Sequence, residues 1–461
     1  MGTLGAGLNI AVQAMLADQA ALDTTSNNIA NANTPGYSRQ TVNFVESPPV
    51  EYGGQLYGTG VEIGQITSQR NSVLQMRLDQ ETQQQSKFDS YLTSMQQVQT
   101  LFNEPGGTGL QSSLTALFNS LQQLSTNPTD MNDRQAVLTA AQNLARNFNN
   151  ASANLSSQQQ SLNVSVTQSV NQINSLTSQI AHLNGEISAA QTTGENPGSL
   201  VDQRDQLVNQ LSGLIDVSEI DAGKGNLTLT TSSGAALVVG NKSFQLTTQG
   251  DPTTGSQHVF SLGTDITATV NGGALGGQLQ ARDSTIPSLL SGLDSLAANI
   301  ESSFNSVNQA GTDLNGNPGG NFFIAPPAGG AGAAATMAVA ITDPTQIAGS
   351  LDGSLGDNAN INAMIALQNQ GIVNGQTPMA AYSNFIFHIG STISSAQSEE
   401  QGTQAAIQQL QNQIGSISGV SINEESANLV RYQQAYQAAA QVASIISGLT
   451  STAINMVSSI H

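Results

Sequence analysis

Toward the end of the chain, apolar and small residues recur at alternating steps of three and four. Leu429, Tyr432, Tyr436, Ala439, Ala443, Ile446, Thr450, Ala453, Val457 and Ile460 fall on one such line. Heptad spacing of this kind keeps one side of a helix facing a partner over many turns. A matching stripe opens the chain: Leu8, Met15, Leu22 and Ile29 recur every seven residues, with Leu4 and Ala11 between them. Two end helices that each present such a face predict a coiled-coil-like layer, in which the N- and C-terminal helices pair with one another and with neighbouring molecules.

Between the ends the texture changes several times. Asn33-Thr34-Pro35-Gly36 stops the first helix by a pre-proline restriction and a glycine turn. Thr41, Val42, Phe44 and Val45 predict a strand, and Pro48-Pro49 with the following glycines an irregular, hairpin-rich stretch. Helix resumes after Asn71, an N-cap, and runs to about residue 103, where Glu104-Pro105-Gly106-Gly107 breaks it. Shorter helices follow, with a break near Asn127-Pro128. The clearest internal coiled-coil-like helix covers 155–190, with Val166, Val170, Ile173, Leu176, Ile180, Leu183 and Ile187 along one face. From 217 to 279, short runs of Thr, Val and Leu bounded by Gly predict a small β domain. Helices return over 284–309 and 379–417, separated by a Gly/Pro/Ala-rich loop around Phe322-Phe323-Ile324.

The fold class read from this pattern is mainly α with a β insert. Residues 1–35 and 420–461 form a terminal helical polymerisation domain, and 36–70 a β-rich connecting segment. Residues 71–216 and 284–419 form a helical rod domain, with a loop-rich 311–378. Residues 217–283 form a small antiparallel, outward-facing β domain in the middle.

Composition narrows the chemistry. Only 9% of the 461 residues are charged, against roughly 25% in ordinary globular proteins. A net charge of −20 argues against nucleic acid or an anionic membrane as partner. The absence of Cys removes disulfides, thiolate catalysis and Cys-ligated zinc. No Lys or Arg precedes Arg39, so the opening residues lack the basic flank of a secretory signal. No apolar run approaches the roughly 20 residues of a membrane span. His182, His258, His388 and His461 are far apart and in no metal-binding spacing, so neither a metal nor a cofactor is expected. Glu399-Glu400 and Glu424-Glu425 are adjacent on helices and point in different directions, which suits solvated faces rather than an acid/base couple. No enzymatic reading survives.

The terminal helices have an energetic problem. A helix over 429–460 is about 48 Å long at roughly 1.5 Å per residue. Ordering it costs on the order of 1 kcal/mol per residue, yet Ala439, Ala443, Thr450 and Ala453 bury little apolar surface in return. One expectation is that both ends are disordered in the free monomer and fold on joining an assembly. The other is an ordinary intramolecular helix hairpin. Asp18 and Thr25 fall on the N-terminal stripe, where a polar group needs a partner or water. Asp18 or Asp23 could pair with Arg431, the only Lys or Arg after Arg282; alternatively Arg431 is a solvated or intersubunit charge. Tyr432 and Tyr436, one turn apart, either anchor a subunit interface or pack within the helix pair.

Asn27-Asn28-Ile29-Ala30-Asn31-Ala32-Asn33-Thr34-Pro35-Gly36-Tyr37 resembles the N-terminal signature of flagellar rod, hook and hook-associated proteins. By itself this stretch also fits a plain helix stop and turn. Ser38-Arg39-Gln40 after the Gly-Tyr is similar to the hook-associated protein 1 branch, the hook–filament junction family. Glu424-Glu425, then Tyr432-Gln433-Gln434-Ala435-Tyr436, resembles the same branch at the other end. The motif residues are Asn31, Thr34, Pro35, Gly36, Tyr37, Arg39, Gln40, Glu424, Glu425, Gln433, Gln434 and Tyr436. The resemblance implies a structural subunit exported unfolded by the flagellar type III apparatus and assembled as an adaptor ring between hook and filament. Its implied partners are further copies of itself, the hook protein, a second hook–filament junction protein and an export chaperone on the C-terminal segment. Its implied place is extracellular, in the flagellum. The polymerisation interface would then involve Leu8, Met15, Leu22, Ile29, Leu429, Tyr432, Tyr436, Ala439, Ala443, Ile446 and Val457. A hook or rod subunit, or a secreted adhesin-like protein with flagellin-type ends, is the alternative.

Overall fold

The computed structural model describes residues 2–52, 54–103, 109–223 and 225–458. Helix α1 (Gly2–Ala30) is followed by strands β1 (Gln40–Glu46), β2 (Val50–Tyr52), β3 (Gln55–Tyr57) and β4 (Val61–Ser68). Helices α2 (Ser72–Leu101), α3 (Leu110–Thr126), α4 (Met131–Thr193) and α5 (Gly198–Ser212) come next. The β-rich stretch holds β5 (Ser218–Asp221), β6 (Leu227–Thr230), β7 (Ala236–Val239), β8 (Lys242–Ser243), β9 (Leu246–Gly250), β10 (Gln257–Ser261) and β11 (Thr264–Asp265). Helices α6 (Gly273–Gln280), α7 (Ile286–Ala310), α8 (Ala333–Thr336), α9 (Ala359–Ala366), α10 (Pro378–Ser418) and α11 (Ile422–Ser458) complete the chain. The protein is mainly helical with small antiparallel sheets in the middle. The break expected at Glu104 lies outside the described residues.

Two helices are longer than their sequence pattern predicts. Continuous helix runs from Met131 through the coiled-coil-like stretch to Thr193, because no Pro interrupts it and Gly185 alone does not stop a packed helix. Helix α11 begins at Ile422, seven residues before the first member of the heptad line.

The chain forms two compact units. The first contains residues up to Gln83, Gln172–Leu246 and Thr403 onward. In it, β1 and β4 pair from Gln40 opposite Ser68 to Glu46 opposite Val61, with a bulge between Asn43 and Phe44. A four-stranded sheet, ordered β5-β6-β7-β8, buries Leu227, Leu229, Leu237 and Val238. Asn184 of α4 donates to the Leu227 and Gly240 carbonyls, both at 2.8 Å, and so fixes that sheet to its helix.

The second unit contains Gln84–Asn171 and Thr247–Gly402. Its centre is aromatic: the rings of Phe304, Phe322 and Phe323 lie 5.0 to 5.7 Å apart, centroid to centroid. The loop that carries Phe322 and Phe323 is therefore part of the core. Asn305 of α7 holds it there by accepting from both backbone N–H groups at 2.8 Å. The fully buried Arg134 guanidinium donates to the Pro128, Pro344 and Ile347 carbonyls, tying a second loop to α4. The expected β domain of 217–283 thus comprises two sheets. The second, ordered β11-β10-β9, is held by Asn163, which bonds the Gly255 carbonyl and the Gln257 amide.

Candidate assembly site in the terminal helices

The α1–α11 pair belongs to the first unit, and its register is fixed at two points. A Cβ on Gly7 would sit 3.1 Å from Ile446 Cδ1, and the Asn28 amide donates to Glu425 at 3.2 Å. These points are 21 residues apart on each helix, so the helices run antiparallel without slippage. Close approach follows from residue size at Gly7, which faces Ile446 of α11. The β1–β4 hairpin covers another side of α1, with Ser47 reaching Gln13 and Phe44 meeting the Tyr432 ring edge-on at 6.3 Å.

The large residues of the N-terminal stripe, Leu8, Met15, Leu22 and Ile29, are each half-buried. The fully buried positions of α1 are Ala11, Ala17, Ala21, Thr24, Thr25 and Asn28. The apolar side chains that α1 buries completely are thus small ones, as close helix packing requires. On α11, Leu429, Tyr432, Tyr436, Ala439, Ala443 and Ile446 are all half-buried. The side chain of Val457, and all of Ile460, lie outside the described residues.

The motif residues from the two ends converge on Asn28. Its amide carbonyl accepts from the Tyr37 hydroxyl at 2.8 Å and the Gln40 N–H at 2.9 Å; its NH2 donates to the Gln40 carbonyl at 2.8 Å and to Glu425. Every hydrogen-bonding site on that buried amide is thus directed at a motif position. Arg39 completes the join: Nε donates to Glu425 at 2.7 Å and an Nη reaches Glu424 at 3.2 Å. Its backbone N–H donates to the Ser418 carbonyl at the end of α10. Burial, then the Asp202 and Glu425 carboxylates, push the Tyr37 hydroxyl up to about 12.

The turn before this network is locally built. Asn31 donates to Asn27, and Thr34 donates to the Asn31 side chain. The Pro35 carbonyl accepts from Gln206 of α5. Gly36 has a φ of +76°, a conformation that glycine takes without strain. Ser38 and Arg70 both bond Asp202, the latter at 2.6 Å, and neither Arg70 nor Asp202 was marked by any sequence pattern. Gln433 and Gln434 are exposed. The motif turn borders a cleft of about 830 Å³ whose walls include Tyr37, Arg70, Asp202, Arg204 and Glu219.

The pairing of Arg431 with Asp18 or Asp23 within one chain does not occur. The Arg431 guanidinium lies over its neighbour Tyr432, 4.8 Å from the ring centroid, and donates to that hydroxyl at 2.9 Å. Asp23 is exposed and makes no ion pair among the described residues. Asp18 is half-buried, and burial raises its carboxyl above the ordinary range. The described histidines are in separate places, beside Glu186, Asp265 and Thr392 respectively. Among the described residues no three His, Asp or Glu side chains converge as a metal site, and no helix is long and apolar enough to cross a membrane.

Residues 8–37 match the family model described as flagella basal body rod protein, and 95–323 match that of the flagellar hook-associated protein FlgK helical domain. The chain is therefore a flagellar structural protein. It is 30% identical to flagellar hook-associated protein 1 of Bacillus subtilis (strain 168) over 495 residues, covering 97% of both chains. It is 28% identical to the protein of that name from Salmonella typhimurium over 549 residues, covering 97% of this chain and 99% of that one. The chain belongs to the flagellar hook-associated protein 1 family. The fold agrees: the flagellar hook junction protein FlgK from Burkholderia pseudomallei superposes with a TM-score of 0.66 at 21% identity, covering 74% of this chain and 100% of that one.

Proposed function

We propose that this protein is a structural adaptor at the junction of flagellar hook and filament, exported through the flagellar type III apparatus and assembled through its terminal helices. The observation that carries the reading is the buried Asn28–Tyr37–Arg39–Glu425 network. It joins motif residues from opposite ends of a chain that matches hook-associated protein 1 over nearly its full length. The match to that family's helical domain favours it over a hook or rod subunit and over an adhesin with borrowed ends.

The energetics of the terminal pair support assembly as its completing step. Among the described residues, the fully buried apolar side chains of α1 are three alanines, and the only fully buried side chain of α11 is Glu425. A buried methyl returns about 0.8 kcal/mol, while ordering the 37 residues of α11 costs on the order of 1 kcal/mol each. Partial burial of Tyr432, Tyr436 and Ile446 offsets some of that deficit, and neighbouring subunits would supply the rest. Partners on this reading are further copies, the hook protein, a second junction protein and a chaperone for the C-terminal segment before export. The working location is outside the cell, in the flagellum. Deleting the gene and imaging the cells tests the reading: hooks without filaments are expected, restored by the full-length gene. Normal filaments on the deletion strain would overturn it.

A further inference from the structure

One face of α7 carries the long loop that follows it. Asp294, Ala298, Glu301, Asn305 and Asn308 recur at steps of four and three, so they line a single side of the helix. All but Glu301 hold the loop, in reverse order along the helix. Asn308 accepts from the Ala348 N–H at 3.0 Å and donates to the Gly320 carbonyl at 2.8 Å. Asn305 takes the Phe322 and Phe323 amides. A Cβ on Gly330 would lie 3.4 Å from the Ala298 Cβ. Asp294 accepts from the Gly332 N–H at 2.8 Å and the Ala334 N–H at 3.0 Å.

Glu301 is the exception. It is 1% exposed, and its Oε2 has no hydrogen-bond partner among the described residues. It falls between Asn305 and Ala298. The loop residues between theirs, 324–329, include Pro326 and Pro327, which have no N–H to donate. No cation makes up for this. Residues 314–342, α3 and α9 contain no Asp, Glu, His, Lys or Arg. Arg134 of α4 is occupied by loop carbonyls and Arg146 by the Asn143 side chain. Arg282 is held by Asp283 and the Gln257 carbonyl, and His388 of α10 meets Thr392. Asp294 is the only charged group among the described residues whose field acts on Glu301, and it repels a second negative charge. A buried carboxylate in that position is costly, and the neutral acid far less so.

We infer that Glu301 is a proton-held latch for the loop over α7: as the neutral acid it lets residues 322–334 lie closed, and as a carboxylate facing Asp294 it drives them open and uncovers Phe322 and Phe323. Burial, then the Asp294 charge, push the Glu301 carboxyl up to about 7. The closed loop therefore keeps a proton that the open loop releases near the ordinary value of 4.5. Its stability is full below that value, falls as pH rises toward 7, and levels off above.

Amide hydrogen exchange of the purified full chain, at about pH 5 and about pH 8 and corrected for the intrinsic change in rate, tests the latch. The opening constant read at the Phe322, Phe323, Gly332 and Ala334 amides should rise on the order of 50-fold between the two conditions. The Ala348 amide, held by the uncharged Asn308, should keep its protection. Glu301→Gln, neutral at both pH values, should hold the loop equally closed in each. The wild-type comparison depends on no variant, so a poorly folding substitution does not remove the test. Loop protection that does not change with pH in the wild type, a loss of equal size at Ala348, or the same loss in a folded Glu301→Gln overturns the inference.

Discussion

Glu425→Ala probes the join between the two ends. The Glu425 side chain is 3% exposed and accepts from Arg39 at 2.7 Å and from Asn28 at 3.2 Å. Breaking a fully buried ion pair by removing one member costs about 3–5 kcal/mol. Here Arg39 keeps Glu424 and is 24% exposed, so water recovers part of that cost. The loss should be about 2 kcal/mol, in the range of hydrogen bonds to charged groups, or roughly a 30-fold larger opening constant. Amide hydrogen exchange of the first turns of α11 in the purified full chain reads this directly. Glu425→Gln, which keeps the shape and loses the charge, should fall between the wild type and Glu425→Ala. In a double-mutant cycle with Arg39→Ala, a coupling on the order of 1–2 kcal/mol is expected. Unchanged exchange in Glu425→Ala, or additive single costs, would show that the network does not hold the ends together.

Other consequences follow from the two units. Burial pushes Asp79 up to about 6 and, with the Asp79 charge adding, Glu219 up to about 8. The folded chain thus retains protons that the unfolded chain releases near pH 4, so stability should fall as pH rises from about 4 to 8. Urea midpoints across that window check the slope, and Glu219→Gln should flatten it; a slope of opposite sign would contradict the assignment. A Cβ on Gly277 of α6 would overlap the Lys87 carbonyl oxygen of α2. Gly277→Ala should therefore cost about 3 kcal/mol in chemical denaturation, and a neutral result would mean the two helices separate easily. Losing Glu425 should also lower the Tyr37 titration midpoint only part of the way toward 10, because burial remains its leading cause; a full return in a spectroscopic titration would contradict that order of causes.

The C-terminal helix was legible because Leu429, Tyr432, Tyr436 and Ile446 recur at heptad-compatible steps and no proline falls within it. The small residues of α1 were less so: Ala11 lies on the N-terminal stripe, but Gly7 and Ala21 carry no hydrophobic signal strong enough to outweigh Leu8, Met15 and Leu22. The identity of the motif residues was visible, but not their chemistry. Glu425 meets Asn28 across 397 residues of sequence, and nothing local announces the pairing. Arg70 and Asp202 support the motif from helix ends and strand ends whose spacing has no period. Phe322 and Phe323 read as a loop by composition and lie in the core because Asn305 binds their backbone.

On this reading the terminal helices are held at one end by the Glu425 network and completed elsewhere by neighbouring copies. Hydrogen exchange along α1 and α11, measured on the free full-length chain and on isolated hook–filament structures, tests it most directly. Protection in the free chain should fade from Asn28 and Glu425 toward Gly7 and Ile446, and become uniform once assembled. Protection in the free chain equal to that of the Phe304 core along both helices would contradict it.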